Sequence, residues 1–239
     1  CLEPLEPLEQ LEGLLLDRPV LMLSETGETT RLDHELQQAG ARPEVTAVLR
    51  EAELEEPLPL FAPRRQPLPN TEIYAKHLLE QSRRLILGRP GLTIVLLDDA
   101  ALRHSLTASL AAEFGTRVQD QCTAPQENGV ISGSWAWWLQ HLDQLPEPEQ
   151  IIIGMLPIAS LTCPITAARV DRLKHQGTDW FRSLLLPEAL RLIPAAVAPL
   201  RRSGGRLAVL DGRLRGRSWG DQILQCLEPW QPLNRLLPD

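Results

Sequence analysis

Four stretches of the chain are apolar without polar alternation: LTIVLLDD (92–99), GVISGSW (129–135), IIIGMLP (151–157) and RLAVLDG (206–212). A strand with one wet face would alternate, so these runs predict strands buried on both faces, as a parallel sheet requires. TRVQDQC (116–122) predicts a further strand. Between them the apolar period lengthens. Ile73, His77, Leu78, Leu85 and Ile86 mark a helix capped by Asn70 and closed by Gly88 and Pro90. Leu102, Leu106 and Leu110 mark a helix over 100–114, with Asp99 as its cap and Gly115 as its end. ITAARVDRLKHQG (165–177) predicts a helix, LPEALRLIPAAVAPLRR (186–202) a broken one, and WGDQILQCLEPW (219–230) a last one. Strand, helix and strand over 92–122 form a parallel unit with a right-handed crossover.

Upstream the pattern is weaker. The first dozen residues, CLEPLEPLEQLE, carry prolines too closely spaced for a long helix. PVLMLS (19–24) and VTAVL (45–49) predict short strands, and RLDHELQQAGA (31–41) a helix ended near Gly40. EAELEEPLPLFAPRRQPLPN (51–70) is acidic and proline-rich, and predicts an extended surface connection. No internal repeat is present. The whole predicts an α/β fold: an open, mainly parallel sheet with helices on both faces.

Charge refines this picture. The chain has 239 residues and a formal net charge of −7, which disfavours coating nucleic acid by charge alone. Its cations are nearly all arginine; only Lys76 and Lys174 are lysines. Arg201, Arg202, Arg206, Arg213, Arg215 and Arg217 lie close in sequence, with Asp211 the one acid among them. They read either as a solvated rim or as a phosphate-binding set. The four cysteines are scattered and fit a reducing, cytoplasmic interior. No apolar run approaches the ~18 residues of a membrane span, and acids interrupt the N-terminus where a signal peptide would be apolar.

Chemical motifs are sparse. TIVLLDD has the look of a strand ending in magnesium-binding acids, but no GxxxxGK[ST] phosphate loop accompanies it. Neither GxGxxG nor GxSxG occurs. His104 and His141 are conceivable general bases without a partner nucleophile. Trp135, Trp137 and Trp138 offer rings for base stacking, or equally a core or an interface.

The order of segments resembles the C-terminal motor lobe of DinG-type DNA helicases, bacterial relatives of the XPD helicase in superfamily 2. VLMLSETG resembles the family's LTSATL element through Ser24 and Thr26. PLPLFAPRRQPLPNTEIYA resembles the crossing into the second lobe, and GLTIVLLDDAALRHSLTASL the LVLFTSY strand and helix. In IIIGMLPIASLTCPITAARVDRLKHQG, Leu156, Pro157, Pro164, Ala168 and Arg169 match the LPF…P…P…AR element. LPEALRLI and RLAVLDGRLRGRSWGDQIL resemble the closing motif, last strand and DxR turn. The resemblance implies a RecA-like, P-loop NTPase-type lobe over 70–239, a segment over 19–69 crossing from a first lobe, and an arm or linker over 1–18. It implies an upstream helicase lobe as partner, single-stranded DNA as ligand, and no membrane. ATP and magnesium enter only with a first lobe; no cofactor is expected in this chain itself.

The departures point to a degenerate lobe. Where the family's closing QxxxGRxxR motif reaches the γ-phosphate, this chain carries Pro194, Ala198 and Pro199, and only Arg202 matches. An arginine in that role stabilises charge in the transition state. Near SGSWAWWLQHLD, Ser134 and a Trp survive from SFWEGVD, while Asp143 is displaced. Asp98 and Asp99 replace the hydroxyls of LFTSY and would repel a phosphate. Arg202 is thus the expected phosphate sensor, and Arg213, Arg215, Arg217 and Ser134 the expected nucleic-acid contacts. Two other expectations compete. A non-catalytic scaffold would dock a protein partner through Trp135–Trp138 or the Leu-Pro-Glu arm. An unrelated small-molecule enzyme would need a pocket near Asp98, Ser132 or Asp211.

Overall fold

A computed structural model describes residues 19–22, 36–37, 40, 44–47 and 56–234. By contact the chain divides into two units, one of Cys1–Leu54 with Ala159–Leu185, the other of Glu55–Ile158 with Leu186–Asp239. The described elements, in chain order, are β1 (Leu58–Phe61), α1 (Tyr74–Leu87), β2 (Thr93–Leu96), α2 (Ala100–Phe114), β3 (Val118–Asp120), β4 (Val130–Gly133) and α3 (Trp135–His141). Then follow β5 (Gln150–Ile153), α4 (Pro164–His175), α5 (Leu186–Ser203), β6 (Arg206–Val209), α6 (Arg213–Gly216), α7 (Gly220–Gln225) and β7 (Trp230–Pro232). The strands form one seven-stranded sheet in the order β3-β4-β2-β5-β6-β1-β7. Every neighbouring pair is parallel. This is an α/β fold of RecA-like class with an open sheet.

The uninterrupted apolar runs are explained by burial on two sides. Val95, Leu97, Ile152, Ala208 and Leu210 pack with Leu78, Leu85, Leu106 and Leu110 of α1 and α2. Their strand neighbours Ile94, Leu96, Ile151, Ile153, Leu207 and Val209 point the other way and are 0 % exposed. That second face is covered by α5, which packs on β5 and β6, and by α3, which packs on α5. The fully buried Trp138 ties those helices together, its indole Nε1 donating to the Ala196 carbonyl at 2.9 Å. The chain crosses towards β3 through α1 and α2 on one face and towards β7 through α3, α5 and α7 on the other. A single crossover hand requires that division.

Several expectations hold at their ends. Asp99 caps α2, accepting from the Leu102 N–H at 2.9 Å, and Gly115 ends it with φ 72°. Gly177 follows α4 at φ 70°, and Pro164 opens it at the first turn. Others need correction. Leu58–Phe61, expected to lie in an extended surface connection, is a strand between β6 and β7, with Leu58 and Leu60 buried. Asn70 does not cap α1; the chain turns through Thr71, and the helix begins after Ile73 without a side-chain cap. The strands β2 and β3 are parallel as expected, but β4 sits between them. Helix α5 is continuous despite Pro194 and Pro199. Each proline withholds one i→i−4 donor, while burial of Ala189, Ile193, Ala196, Val197 and Leu200 holds the helix on the sheet.

Pro19–Met22 and Val45–Ala47 are exposed and carry no strand. Leu36 and Gln37 are helical and Gly40 has φ 76°, in keeping with a helix ended there. The arm over 1–18 and the rest of 23–55, with Ser24 and Thr26, lie outside the described residues. Phe181–Ser203 is, by length and mean hydropathy alone (1.4), able to cross a membrane; from Leu186 onward its buried residues are those that pack on the sheet.

Candidate functional site at the carboxyl edge of the sheet

In an open parallel sheet the place for a ligand is the crevice where the chain leaves adjacent strands in opposite directions, beyond their carboxyl ends. Here that point lies between β2, which leaves towards β3, and β5, which leaves towards β6. The groups reaching it are Asp98 and Asp99 from β2, Ser134 from β4, Gly154 and Met155 from β5, and Asp211 from β6.

The protein fills this crevice itself. Tyr74, 1 % exposed, donates its hydroxyl to the Gly154 carbonyl. The Trp135 indole donates to the Met155 carbonyl at 3.0 Å, and its backbone N–H donates to Asp98 Oδ1 at 3.0 Å. Gly154 has no room for a side chain, since a Cβ there would lie 2.7 Å from Leu97 Cδ2. Burial, reinforced by the Asp211 charge and opposed by Arg213, pushes the Tyr74 phenol far above its ordinary range, so it stays a neutral donor.

Asp211 is committed in the same way. It is 0 % exposed. Its Oδ2 accepts the Leu156 N–H at 2.8 Å, and its Oδ1 accepts the Arg213 N–H at 2.9 Å. The Arg213 guanidinium closes on it at 2.6 Å from Nη2 and 3.0 Å from Nε, and also donates to the Leu156 carbonyl at 3.2 Å. This carboxylate–guanidinium pair locks the turn after β6 to the turn after β5.

The expected site residues are dispersed. Arg202 is at the end of α5, where it pairs with Glu147 at 2.9 Å. Ser203 beside it donates to the Pro148 carbonyl, and the Arg206 N–H to that of Glu149. Those partners precede β5, so Arg202 stands at the amino edge of the sheet, opposite the crevice. Arg213 is bound into the Asp211 pair. Of the expected contacts, Arg215 and Arg217 are exposed at the carboxyl edge without an ion pair among the described residues. Ser134 caps α3, accepting from the Trp137 N–H at 3.1 Å. Ser132 is buried and its hydroxyl has no partner.

His104 sits 3.2 Å from Asp120, whose other oxygen takes the buried Arg103 at 2.9 Å. His141 stacks on Trp137, ring centroids 5.2 Å apart. Among the described residues neither histidine has a nucleophile as hydrogen-bond partner. Trp135 and Trp138 are 2 % and 0 % exposed and belong to the core, while Trp137 is half-buried. Sequence reasoning missed Tyr74, whose only mark was its place at a helix start. It also missed Gln66, which donates to the Val209 carbonyl at 3.0 Å while its Oε1 lies 3.3 Å from His77 Nε2. Burial holds the His77 imidazole below its ordinary pKa, opposed by Glu80.

No group of His, Cys, Asp and Glu among the described residues could hold a metal ion. Among the described residues the acids at the crevice, Asp98 and Asp211, take internal donors, and Arg202 stands at the opposite edge of the sheet. No protein-family model and no curated protein matches the chain. What the fold and site define is the class, an α/β protein with an open parallel sheet.

Proposed function

We propose that this chain is a second, degenerate lobe of a DinG/XPD-type helicase-like protein, and that it neither binds nor hydrolyses ATP by itself. The support is the internal bonding at the switch point: Asp98 and Asp211 take internal donors, Tyr74 and Trp135 bond to carbonyls of the turn after β5, and Arg202 pairs with Glu147. The sheet supplies a rigid body for a first lobe to work against, and such a body does not depend on phosphate-reading side chains.

Calorimetric titration of the chain with MgATP tests this. No saturable heat is expected at millimolar nucleotide; saturable binding abolished by Arg202→Ala would sink the proposal. For the other reading, a scaffold that docks a protein partner, burial of Trp135 and Trp138 leaves the half-buried Trp137 and the Leu-Pro-Glu arm, which lies outside the described residues.

A further inference from the structure

Two loops leave the carboxyl edge side by side. One follows β1 and carries Arg64 and Arg65; the other follows β6 and carries Arg215 and Arg217. The Gln66 amide donates to the Val209 carbonyl at 3.0 Å, and the Gly212 N–H donates to the Pro67 carbonyl at 3.2 Å. A Cβ at Gly212 would lie 2.4 Å from the Pro67 oxygen, so the loops are held tightly together. All four arginines are exposed, and none has an ion pair among the described residues. Arg213 is committed to Asp211 and belongs to the support beneath them.

The other end of β1 carries the opposite charge. EAELEEP (51–57) holds Glu51, Glu53, Glu55 and Glu56, and no cation stands between Arg50 and Arg64. Glu56 is exposed at the amino edge, two positions before β1, and has no ion pair among the described residues. From Pro57 to Pro63 the chain makes no turn, so about 20 Å lies between the acids and the arginines. Two side chains do not span that distance. Glu55 and Glu56 therefore cannot neutralise the arginines of their own copy.

We infer that these four arginines dock the glutamate run of a second copy of this chain. The charges match in number, and they stand at opposite ends of one strand. One copy's run therefore meets the next copy's arginines when the two associate head to tail. Such a contact is heterologous: each copy keeps one free arginine set or one free acid run, and growth continues until a ring closes. An isolated exposed ion pair contributes little, but here several face each other from a locked pair of turns. Guanidinium forks also suit carboxylates, each able to take two N–H donors. The contact requires no nucleotide site, so its failure and that of the ATP proposal are read separately.

Sedimentation velocity of the full chain tests the contact. At about 0.1 M salt the Debye length is about 10 Å, so local charge outweighs the repulsion between copies of like net charge. There the wild-type sedimentation coefficient should rise with concentration, and in about 1 M salt it should return to the monomer value. R64E/R65E and E55R/E56R should each weaken association at least about tenfold. An equimolar mixture of the two variants should recover it, because each supplies the charge the other now lacks. R84E/R191E, with equal charge change outside both sets, should associate within about twofold of wild type. Circular dichroism melts establish that each variant is folded. A wild-type chain that stays monomeric at millimolar concentration and about 0.1 M salt overturns the inference. So does association that persists in about 1 M salt, or a mixture of folded R64E/R65E and E55R/E56R that stays monomeric.

Discussion

Removing the Arg213 guanidinium would leave Asp211 buried with no counter-charge. A broken buried pair costs about 3–5 kcal/mol, and Asp211 at 0 % side-chain exposure against 20 % for Arg213 meets that condition. Arg213→Ala should therefore lower unfolding free energy by about 3 kcal/mol in urea melts. Arg202→Ala, breaking a pair exposed at 55 % and 47 %, should change it by less than about 1 kcal/mol. Equal effects would contradict the division between an anchored and a solvated arginine. Alkaline pH makes a second residue-level test. Tyr74 is the single tyrosine in the chain, and burial raises its pKa in the fold above the unfolded value near 10. Burial likewise pushes the Cys226 thiol up to about 12. A group whose pKa is raised on folding contributes stability below its unfolded pKa and loses it as pH climbs towards the folded one. Stability should accordingly fall from about pH 9 upward, and Tyr74→Phe with Cys226→Ala should flatten the fall. Tyrosinate absorbance should emerge together with unfolding; its appearance in the folded protein at pH 11 would refute the burial argument. At this scale the sequence was informative about residue type and poor about partners. Arg213 and Asp211 are two positions apart, yet nothing local distinguishes a turn that closes on its own acid from one that presents its arginines outward.

Element by element, legibility followed burial. The strands β2, β4, β5 and β6 are short, apolar and buried on both faces, so their runs stand out against any neighbour. The strand β1 escaped notice because LPLF is flanked by acids and prolines, and its pairing with β6 and β7 is decided by partners distant in sequence. Helix α5 misled in the opposite direction. Proline chemistry predicts a break, and the helix runs unbroken because its buried face is held on the sheet over several turns. That tertiary hold makes a prediction. Pro194 is half-buried, so Pro194→Ala restores a backbone donor at small loss of packing. Against the cost of proline inside a helix, part of which returns through the unfolded chain, it should stabilise the protein by about 1 kcal/mol. A destabilised Pro194→Ala variant in thermal or urea melts would show that the proline ring itself supports α5.

For the molecule as a whole, the sheet order was beyond the reach of local pattern. The class followed from the apolar runs; the order β3-β4-β2-β5-β6-β1-β7, and with it the switch point, did not. That order sets which residues meet at the crevice. Asp98, Asp211, Tyr74 and Trp135 converge there, and Arg202 is carried to the far edge by the length of α5. Ligand linkage converts this into a measurement on the intact chain. A ligand that binds only the folded state stabilises it by RT ln(1 + [L]/Kd), about 2.7 kcal/mol at one hundred times Kd. On the proposal that the chain binds no ATP by itself, thermal melts in MgATP and in buffer of matched ionic strength should therefore coincide. The melts separate a sheet that reads nucleotide from one whose strand-end acids take internal donors. A rise in Tm with MgATP would show nucleotide binding to the folded chain and reverse the proposal.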